Sequence, residues 1–522
     1  MNSDPSFAES SASSRVRIRL EPYASEVDVP RGGSLVAGLA AHGVEFPCGG
    51  EGNCGGCGVR VIAGSLPVTD ADRAVFNADQ LATGWRLACR ARAESPLTLE
   101  CGQRHLQILA DDGEKRPGLI APAECGAVRV GGASISNRRL GIAIDLGTTT
   151  IAAQIIDCAS GEVLGVETAL NPQSIYGSDV MSRIRASLEG KDLATPVRAL
   201  LGQLVSRLAA ARRDQVREVI LVGNTVMHHL FATLDVEPLS HVPFASPHLG
   251  EQQFTSRDLG WDLPADCAIR FVRSIGGFVG SDILAGILAT GIARSDHLIA
   301  LIDLGTNAEI AIGNRHGIVC ASTAAGPAFE AGSIRMGMRA VTGAISHVSL
   351  HDASFRATVI GDTTPRGICG SGLVDAVAAG LRTGAIRSSG RVASSSREFP
   401  VAAPVTLYQS DIRELQLAKG AIAAGFRLLL KHLGATADDL AAIYLAGAFG
   451  NYVQIDSAIR IGLIEAPRAI IHAAGNTALR GAKMLLLADG EPALPPIEHI
   501  SLASDPSFED EFAACMAYPT SS

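Results

Sequence analysis

A run of cysteines and glycines near the amino terminus constrains this chain more than any other feature. The sequence FPCGGEGNCGGCGVRV places Cys48, Cys54 and Cys57 in a C-x5-C-x2-C pattern, and Cys89 follows in GWRLACRA. Three thiolates from one loop and a fourth from a distant segment supply the four ligands of a [2Fe-2S] cluster. The intervening glycines let the backbone wrap a cluster and bring its N–H groups close to sulfur. The pattern therefore predicts an iron-sulfur site at these four cysteines.

Two other interpretations of the cysteine loop are weaker. Structural zinc sites also use C-x2-C, but they usually contribute two close pairs instead of three ligands plus one. Disulfides between neighbouring loop cysteines would not persist in a reducing compartment. The remaining cysteines have no ligand spacing and are expected to be buried thiols. They are Cys101, Cys125, Cys158, Cys267, Cys320, Cys369 and Cys515.

Length and charge exclude several classes of protein. The 522 residues exceed the ~250–300 at which one hydrophobic core usually stops growing, so several domains are expected. A net charge of -9 without a Lys/Arg run argues against nucleic acid as a partner. The apolar stretches are too short to span a membrane. The absence of a secretory signal pattern and the eleven cysteines predict a cytoplasmic protein.

Changes in composition and periodicity divide the chain into four segments. The predicted segments are a disordered lead at 1–14, a small domain around the cysteine loop at 15–104, a linker at 105–138 and a large domain at 139–522. The linker is assigned because it is rich in Gly, Pro and charge and shows no sustained periodicity. In the small domain, alternating apolar residues predict a hairpin over 15–30.

The large domain opens with GIAIDLGTTTIAAQIID, which reads as two strands joined by a tight turn. Asp145 ends the first strand, and the turn consists of Gly147, Thr148, Thr149 and Thr150. Glycine lets the backbone approach an anion, threonine hydroxyls donate hydrogen bonds, and an aspartate beside them can hold hydrated magnesium. A single copy of this motif predicts either a phosphate-binding loop or a plain turn.

A near-copy of the motif, LIALIDLGTNAEIAIG, makes the plain turn a poor explanation. Asp303 ends the strand here, and the turn consists of Gly305, Thr306 and Asn307. Two such hairpins predict two related halves whose turns face a shared cleft. Further on, IYLAGAFGNYV predicts a strand that enters a glycine turn, where a nucleoside could lie against bare backbone at Gly447 and Gly450.

In this order, the two phosphate loops and the glycine turn resemble the phosphate-1, phosphate-2 and adenosine motifs of the acetate and sugar kinase, heat-shock chaperone and actin superfamily. The likeness implies a two-lobed, actin-like ATPase domain that binds ATP with Mg2+. The cysteine loop resembles a plant- or adrenodoxin-type ferredoxin, which implies an N-terminal β-grasp domain with a [2Fe-2S] cluster. The expected fold class is therefore α/β and multidomain.

The segment GGFVGSDILAGI places Asp282 at the start of a predicted helix, between the two phosphate loops. Sugar kinases of the superfamily carry their general base in this position, and Asp282 could orient water on the γ-phosphate. A helix N-cap is an equally good interpretation, because aspartate is a favoured capping residue. Lys419, in the predicted helix at 411–434, could touch the ribose or adenine, but a solvated lysine is the favoured interpretation.

The fusion of these domains, with GPAFEAG, GICGSGLVDA and LAGAFGNY in order, resembles the reductive activators of corrinoid-dependent enzymes. The resemblance implies an ATP-hydrolysing enzyme that passes one electron from the cluster to a Co(II) corrinoid on a partner and regenerates Co(I) for methyl transfer. It also implies a corrinoid protein or corrinoid-dependent methyltransferase as partner, an upstream electron donor, and a homodimer.

The sequence departs from this family pattern in one respect, because it leaves little room for the middle domain of longer members. Two other functions also fit the motifs. The cleft could phosphorylate a small hydroxylated substrate while the cluster senses redox state. Alternatively, the chain could be an electron carrier whose nucleotide domain only regulates it.

Overall fold

The computed structural model describes most of the chain in two compact units. The described residues are 15–21, 25–40, 44, 46, 49–52, 57–101, 140–305, 307–351, 354–488, 490 and 492–520. The first unit holds the described residues up to 101 together with 174–177, and the second holds the others from residue 140 onward. The predicted disordered lead and the predicted linker lie outside the described residues. Within the described parts, no helix is long and apolar enough to cross a membrane.

The first unit is a five-stranded sheet with three short helices, and its strand order is β2-β1-β5-β3-β4. Its elements are β1 (Arg15–Glu21), β2 (Ser25–Pro30), α1 (Val36–Ala40), β3 (Gly58–Ala63), α2 (Asp70–Val75), α3 (Ala78–Ala82), β4 (Trp85–Leu87) and β5 (Leu97–Glu100). The predicted hairpin is present, since β1 and β2 pair from Arg15–Pro30 onward. The alternation of apolar and charged residues stabilises this hairpin. Val16, Ile18 and Leu20 point into the core, while the arginines between them remain exposed.

The second unit contains two lobes, and the first lobe is built on a six-stranded sheet of order β10-β11-β9-β6-β7-β8. Its elements are β6 (Leu140–Leu146), β7 (Thr150–Asp157), β8 (Val163–Leu170), α4 (Val180–Leu188), α5 (Ala194–Ala209), β9 (Val216–Val222), α6 (Thr225–Ala232), β10 (Gln252–Thr255), α7 (Ser256–Leu259), β11 (Ala268–Phe271) and α8 (Ser281–Thr290).

The second lobe has another six-stranded sheet, of order β21-β20-β12-β13-β14-β22, and two smaller sheets. Its strands are β12 (Leu298–Leu304), β13 (Ala308–Asn314), β14 (Gly317–Thr323), β15 (Ala344–His351), β16 (Ser354–Val359), β17 (Gly367–Ile368), β18 (Glu398–Ala402), β19 (Val405–Tyr408), β20 (Leu440–Ala446), β21 (Ile471–Gly475) and β22 (Ile497–His499). Its helices are α9 (Gly370–Thr383), α10 (Gln409–His432), α11 (Gly447–Tyr452), α12 (Ile455–Arg460), α13 (Thr477–Leu487) and α14 (Phe508–Cys515).

The two large sheets repeat one arrangement, as the duplicated motif predicts. In each lobe three antiparallel strands are followed in the sheet by a parallel neighbour, β9 beside β6 and β20 beside β12. The register agrees as well, because Asp145 pairs with Val222 at the end of β9, and Asp303 pairs with Ala446 at the end of β20. Both aspartates therefore end a central strand beside another strand that enters a loop.

Helix α8 lies between the two sheets. Nine of its ten residues are buried, and the exception is Asp282. Leu284 and Leu288 pack with the first sheet and α13, while Ile283 and Ile287 pack with the strands of the second sheet. A helix that is apolar on every face can only be stable when both sides are covered, so α8 joins the hydrophobic cores of the two lobes.

Helices α8 and α13 cross without side chains between them. A Cβ atom on Gly481 would lie 2.0 Å from the carbonyl oxygen of Ala285, which belongs to α8. A Cβ on Gly286 would meet Leu301 of β12 at 2.6 Å and Thr477 of α13 at 3.2 Å. The crossing therefore depends on the missing side chains of these two glycines.

We expect Gly481→Ala to destabilise the second unit by about 1–3 kcal/mol, the usual cost of overpacking. Alanine gains about 1 kcal/mol of helix propensity over glycine, but the atom it meets is backbone and cannot turn aside. Thermal melting of the full chain measures the effect. Gly250→Ala is the control, because a Cβ there meets nothing within 4 Å. An unchanged or higher melting temperature for Gly481→Ala would contradict this account of the crossing.

Candidate functional site

Two of the four predicted iron ligands lie within the described residues, and the structure brings them together. Cys57 is buried directly before β3, and Cys89 is partly buried in the turn after β4. Their thiols are hydrogen-bonded, and this contact with burial raises the pKa of Cys57. The backbone joins the same two points, because the amide of Ala88 donates to the carbonyl of Cys57 at 3.1 Å. Cys48 and Cys54 lie outside the described residues.

The surroundings of these thiols suit a bound cluster. Gly52 has a φ of +81°, and a Cβ there would lie 2.5 Å from Nε of Arg90. Arg90 also donates to the carbonyl of Glu51, so the cysteine loop is tied to the turn that carries Cys89. Asp72 supports the same turn, because its Oδ1 accepts from the amide of Leu87 at 2.7 Å. Paired thiols beside bare backbone are a donor set that fits [2Fe-2S].

The other described cysteines are buried, as the sequence predicted, and Cys125 is outside the described residues. They are Cys101, Cys158, Cys267, Cys320, Cys369 and Cys515. Burial raises the pKa of Cys267 and of Cys320 to about 12.

The first phosphate loop joins β6 and β7 in a tight turn. The amide of Gly147 donates to the carbonyl of Thr150 at 3.0 Å, and the carbonyl of Gly147 accepts from Asn171 at 2.9 Å. The side chain of Asn224, in the loop after β9, donates to the hydroxyl of Thr148 at 2.8 Å. The loop is therefore held in shape from the neighbouring segments of its own lobe.

The second phosphate loop joins β12 and β13, and its partner is the glycine turn after β20. The amide of Gly305 donates to the carbonyl of Asn307 at 3.0 Å, and Thr306 lies outside the described residues. Gly447 has a φ of +79°, and a Cβ there would lie 2.4 Å from Oδ1 of Asp303. Gly450 is buried inside α11 against Leu445 of β20. Gly447, and not Gly450, therefore touches the predicted phosphate site.

Three predicted carboxylates from different elements converge on the cleft. They are Asp145 at the end of β6, Asp303 at the end of β12 and Asp282 at the start of α8. Burial raises the pKa of Asp282 to about 8, and the charges of Asp303 and Asp145 add to the effect. Burial and the charge of Asp145 raise the pKa of Asp303 to about 7. The three side chains are close enough to repel one another.

A fourth carboxylate, which was not predicted from the sequence as a site residue, lies beside these three. Glu309 on β13 stands directly opposite Asp303 in the β12–β13 ladder and is only 7% exposed. Burial and the charges of Asp282 and Asp303 raise its pKa, and the hydroxyl of Ser322 donates to it at 3.2 Å. The signal was in the sequence, because a charged residue in the apolar run AEIAI is costly unless it serves the cleft.

Asn476 was also missed, and it links the lobes at the cleft. Its Nδ2 donates to Oδ2 of Asp145 at 2.8 Å, and its Oδ1 caps α13 at Leu479. The hydrogen bond partly offsets the burial that raises the pKa of Asp145 to about 6. Asparagine is a common N-cap, so the sequence alone could indicate the cap but not the contact with Asp145.

At two residues the structure excludes one of the interpretations that the sequence left open. Asp282 is not the N-cap of α8, because the cap is Gly280 and Asp282 is the second helical residue. Its Oδ1 still accepts from the amide of Ile283 at 2.8 Å. The expectation of a solvated Lys419 is wrong: the side chain is 1% exposed, and its ammonium donates to the carbonyl of Ala517 at 2.6 Å.

Among the described residues, no group of three or more histidine, cysteine, aspartate or glutamate side chains is arranged to hold a metal ion. Magnesium is usually held through one or two carboxylates, water and the phosphates of a nucleotide. The mutual repulsion of Asp145, Asp282 and Asp303 is a cost that a divalent cation would relieve. The cleft therefore fits Mg2+ that arrives with a nucleotide.

A largely apolar cavity of about 560 Å3 adjoins the second phosphate loop, between the two lobes. Asn307 and the segment from Ser322 to Gly326 form one wall. Phe244 and Phe278 of the first lobe form another, with ring centroids 5.4 Å apart. Phe244 has a φ of +58°, which is strained for a bulky residue. The volume is in the range of ligand-binding cavities.

A ferredoxin-type cysteine loop joined to a duplicated, carboxylate-lined cleft defines an iron-sulfur protein with a nucleotide-binding domain. Comparison with known proteins makes this specific. Residues 18–94 match the 2Fe-2S iron-sulfur cluster binding domain, 140–295 the RACo middle region, and 297–522 the C-terminal domain of RACo, the ASKHA domain. The chain belongs to the family of reductive activators of corrinoid proteins.

Similar proteins support the assignment along most of the chain. The corrinoid activation enzyme RamQ of Eubacterium limosum is 34% identical over 71% of this chain and 69% of its own length. The [Co(II) methylated amine-specific corrinoid protein] reductase of Methanosarcina barkeri is 26% identical over 73% and 77%. A solved reductive activator for corrinoid, iron-sulfur protein is 27% identical, covers 97% of this chain and 98% of its own, and superposes with a TM-score of 0.64.

These comparisons confirm the predicted family and fold class and correct one expectation. The sequence was expected to lack the middle domain of longer family members. That expectation is wrong, because the middle region of the family matches 140–295, which is the first lobe of the cleft. The lobe was assigned entirely to the ATPase domain because its hairpin repeats the one in the second lobe.

We expect Gly447→Ala to abolish or severely weaken nucleotide binding. The new Cβ would displace the carboxylate of Asp303 and also clash with the carbonyl of Leu304, 2.7 Å away. Isothermal titration with a non-hydrolysable ATP analogue measures the loss. Gly434→Ala is the control: Gly434 also has a positive φ, +63°, but has nothing within 4 Å of a Cβ. Equal loss in both variants would mean that backbone strain alone, and not contact with Asp303, is responsible.

The carboxylate cluster should make the nucleotide-free protein less stable as pH rises. An aspartate whose pKa is higher in the folded chain than its unfolded value of about 3.9 binds protons preferentially when folded, so stability falls between about pH 4 and pH 8. Asp282→Asn removes one of these charges. We expect the variant to melt at least about 3 °C above the wild type at pH 8, and the gap to narrow at pH 5.

Melting curves without nucleotide or divalent metal test this expectation. Asp266→Asn serves as the control, because Asp266 is an exposed aspartate outside the cleft. A gap between Asp282→Asn and wild type that is independent of pH would rule out repulsion within the cleft as its cause.

Proposed function

We propose that this chain is an ATP-dependent reductive activator that delivers one electron from a [2Fe-2S] cluster to an inactive Co(II) corrinoid on a partner protein. The product is the Co(I) form, which accepts a methyl group. The observation that carries the proposal is the joining of paired, cluster-suited thiols and a duplicated nucleotide cleft in one chain. The similar proteins named for corrinoid activation and for reduction of a Co(II) corrinoid protein support the choice of acceptor.

The need for ATP follows from the energetics of one-electron transfer. When bound, the cluster supplies single electrons at low potential. Each 59 mV of deficit costs about 1.4 kcal/mol, so a transfer that is uphill by a few hundred millivolts needs an external source of free energy. Binding and hydrolysis of ATP between the lobes can supply it by favouring the state of the complex in which cobalt is easier to reduce.

The cleft residues divide the work on the nucleotide. Side-chain hydroxyls and the amide group of both loops donate to the phosphates, from Thr148, Thr149, Thr306 and Asn307. The amides of Gly147 and Gly305 already donate within their own turns, so these glycines contribute by letting the phosphates approach the backbone. Asp145 and Asp303 would hold the hydrated Mg2+ that comes with the nucleotide, which would neutralise phosphate charge. Gly447 leaves room for the carboxylate of Asp303. Asp282 orients the attacking water and accepts its proton. A pKa raised to about 8 suits a general base that works near neutral pH.

The partner is a corrinoid protein or a corrinoid-dependent methyltransferase. The cobalt cofactor belongs to the partner, because this sequence contains no D-x-H-x-x-G motif of corrinoid binding. Cys48, Cys54, Cys57 and Cys89 hold the cluster, which an upstream donor recharges. We also propose that the protein forms a homodimer, because of the family likeness. Its cysteine content supports a cytoplasmic location.

One assay separates this proposal from its competitors. Reduced full-length protein is mixed with ATP, Mg2+ and a Co(II) corrinoid protein, and both phosphate release and Co(I) absorbance are followed. We expect Co(I) only with ATP, and hydrolysis stimulated by the corrinoid protein. Phosphorylation of a small hydroxylated compound without Co(I) would favour a kinase. Nucleotide binding without any hydrolysis would favour a regulated electron carrier.

Matched variants assign the steps in the same assay. Cys57→Ala should lose the visible absorbance of the cluster and all Co(I) formation, whereas Cys101→Ala, a buried cysteine of the same domain, should keep both. Asp282→Asn should bind ATP but lose hydrolysis by at least about 100-fold, the scale of general base catalysis. Unchanged hydrolysis in Asp282→Asn would contradict the role of Asp282 as general base and would leave it only a structural contact with the first turn of α8.

A further inference from the structure

The first phosphate loop reaches across to the second lobe through a threonine. Oγ1 of Thr149 lies 3.5 Å from Oε1 of Glu330, the last residue of the 3-10 helix Pro327–Glu330. A threonine hydroxyl has a single proton to donate. A phosphate group that accepts this proton therefore takes it away from the carboxylate of Glu330.

Glu330 also belongs to a group of charges around a buried arginine. Arg183 on α4 is fully buried, and burial lowers its pKa to about 9. The negative charges of Asp179 and Glu330 counter that effect, and the positive charge of Arg339 adds to it. Because a buried guanidinium is costly without nearby negative charge, a change in the position of Glu330 is felt by α4.

The segment that ends at Glu330 and the helix α4 both contribute residues to the wall of the apolar cavity. Ala324, Ala325 and Ala328 line the cavity directly before Glu330 in the chain. Val180 and Met181, in the first turn of α4, line it from the first lobe. The contact between Thr149 and Glu330 thus lies where the phosphate loop, α4 and the cavity wall come together.

We propose that Glu330 is a positioning residue that competes with phosphate for the hydroxyl of Thr149 and so couples nucleotide binding to the wall of the cavity. The inference rests on the proposed nucleotide site. Without nucleotide, Glu330 accepts from Thr149 and holds the segment 324–330 against the first lobe. When phosphate binds, the hydroxyl turns away and the like charges repel, so the side chain of Glu330 shifts and the segment 324–330 loosens at its contact with the first lobe. Ala325, Ala328 and Phe329 stay packed in the core of the second lobe. By reciprocity, a group that moves this wall changes the affinity for ATP.

The carboxylate should therefore oppose nucleotide binding, and removing its charge should help. We expect Glu330→Gln to bind a non-hydrolysable ATP analogue about fivefold more tightly than the wild type, because the variant loses both the charged competitor for the proton of Thr149 and a charge that repels phosphate. In a Thr149→Val background the gain from Glu330→Gln should fall to about twofold or less, because only the charge repulsion remains. Titration calorimetry of the full chain measures both.

Hydrogen exchange supplies a second readout that a purely structural role would not move. Adding the analogue should raise exchange of the amides in 324–330 in the wild type, and in Glu330→Gln these amides should exchange quickly without it. Glu414→Gln is the matched control, because Glu414 is a partly buried carboxylate of the same cavity on α10. We expect it to leave analogue affinity unchanged.

The outcomes are separable. Equal or weaker analogue binding by Glu330→Gln, with an unchanged melting temperature, would overturn the proposal. A gain as large in Glu414→Gln would do the same, because it would show that any negative charge near the cavity has this effect. A wild type that binds no analogue would instead remove the proposed function on which the inference rests.

Discussion

The packing of α8 between two sheets is the interaction on which the rest of the second unit depends. Because nine of its ten residues are buried, this helix can be satisfied only when both lobes are in place. Its one remaining residue, Asp282, therefore faces the cleft. The same packing fixes the distance between the ends of β6 and β12, so a hydrophobic contact determines where three carboxylates meet.

Repulsion among the carboxylates of the cleft lowers the stability of the folded chain, and a nucleotide with its cation would relieve it. Like charges held together in a partly buried site destabilise the folded chain unless they are protonated or countered by a cation. Asn476 offsets part of this cost at Asp145, and Ser322 part of it at Glu309. In the proposed function, a nucleotide that brings Mg2+ would bind with a free-energy gain beyond its own contacts, because the cation would relieve this repulsion.

The sequence predicted what depends on local pattern and duplication. The hairpin of β1 and β2, the strands around both phosphate loops and the burial of the scattered cysteines follow from alternation and repeats. It could not predict what depends on distant segments meeting. Asn476 and Glu330 acquire roles only through partners far away in the chain. Lys419 was misjudged for the same reason, since its partner lies 98 residues further on.

The likeness between the hairpins of the two lobes predicts that both belong to one ATPase domain, whereas the family comparison treats 140–295 as a middle region. That likeness extends to the helices, since α8 follows β11 in one lobe as α13 follows β21 in the other. Where these two helices cross, Gly481 brings backbone against backbone. Helices that pack through interlocked side chains lie about 8–10 Å apart. Without a side chain at Gly481, α8 and α13 approach until backbone meets backbone, which brings the two lobes together near the starts of the same helices, where Asp282 and Asn476 lie.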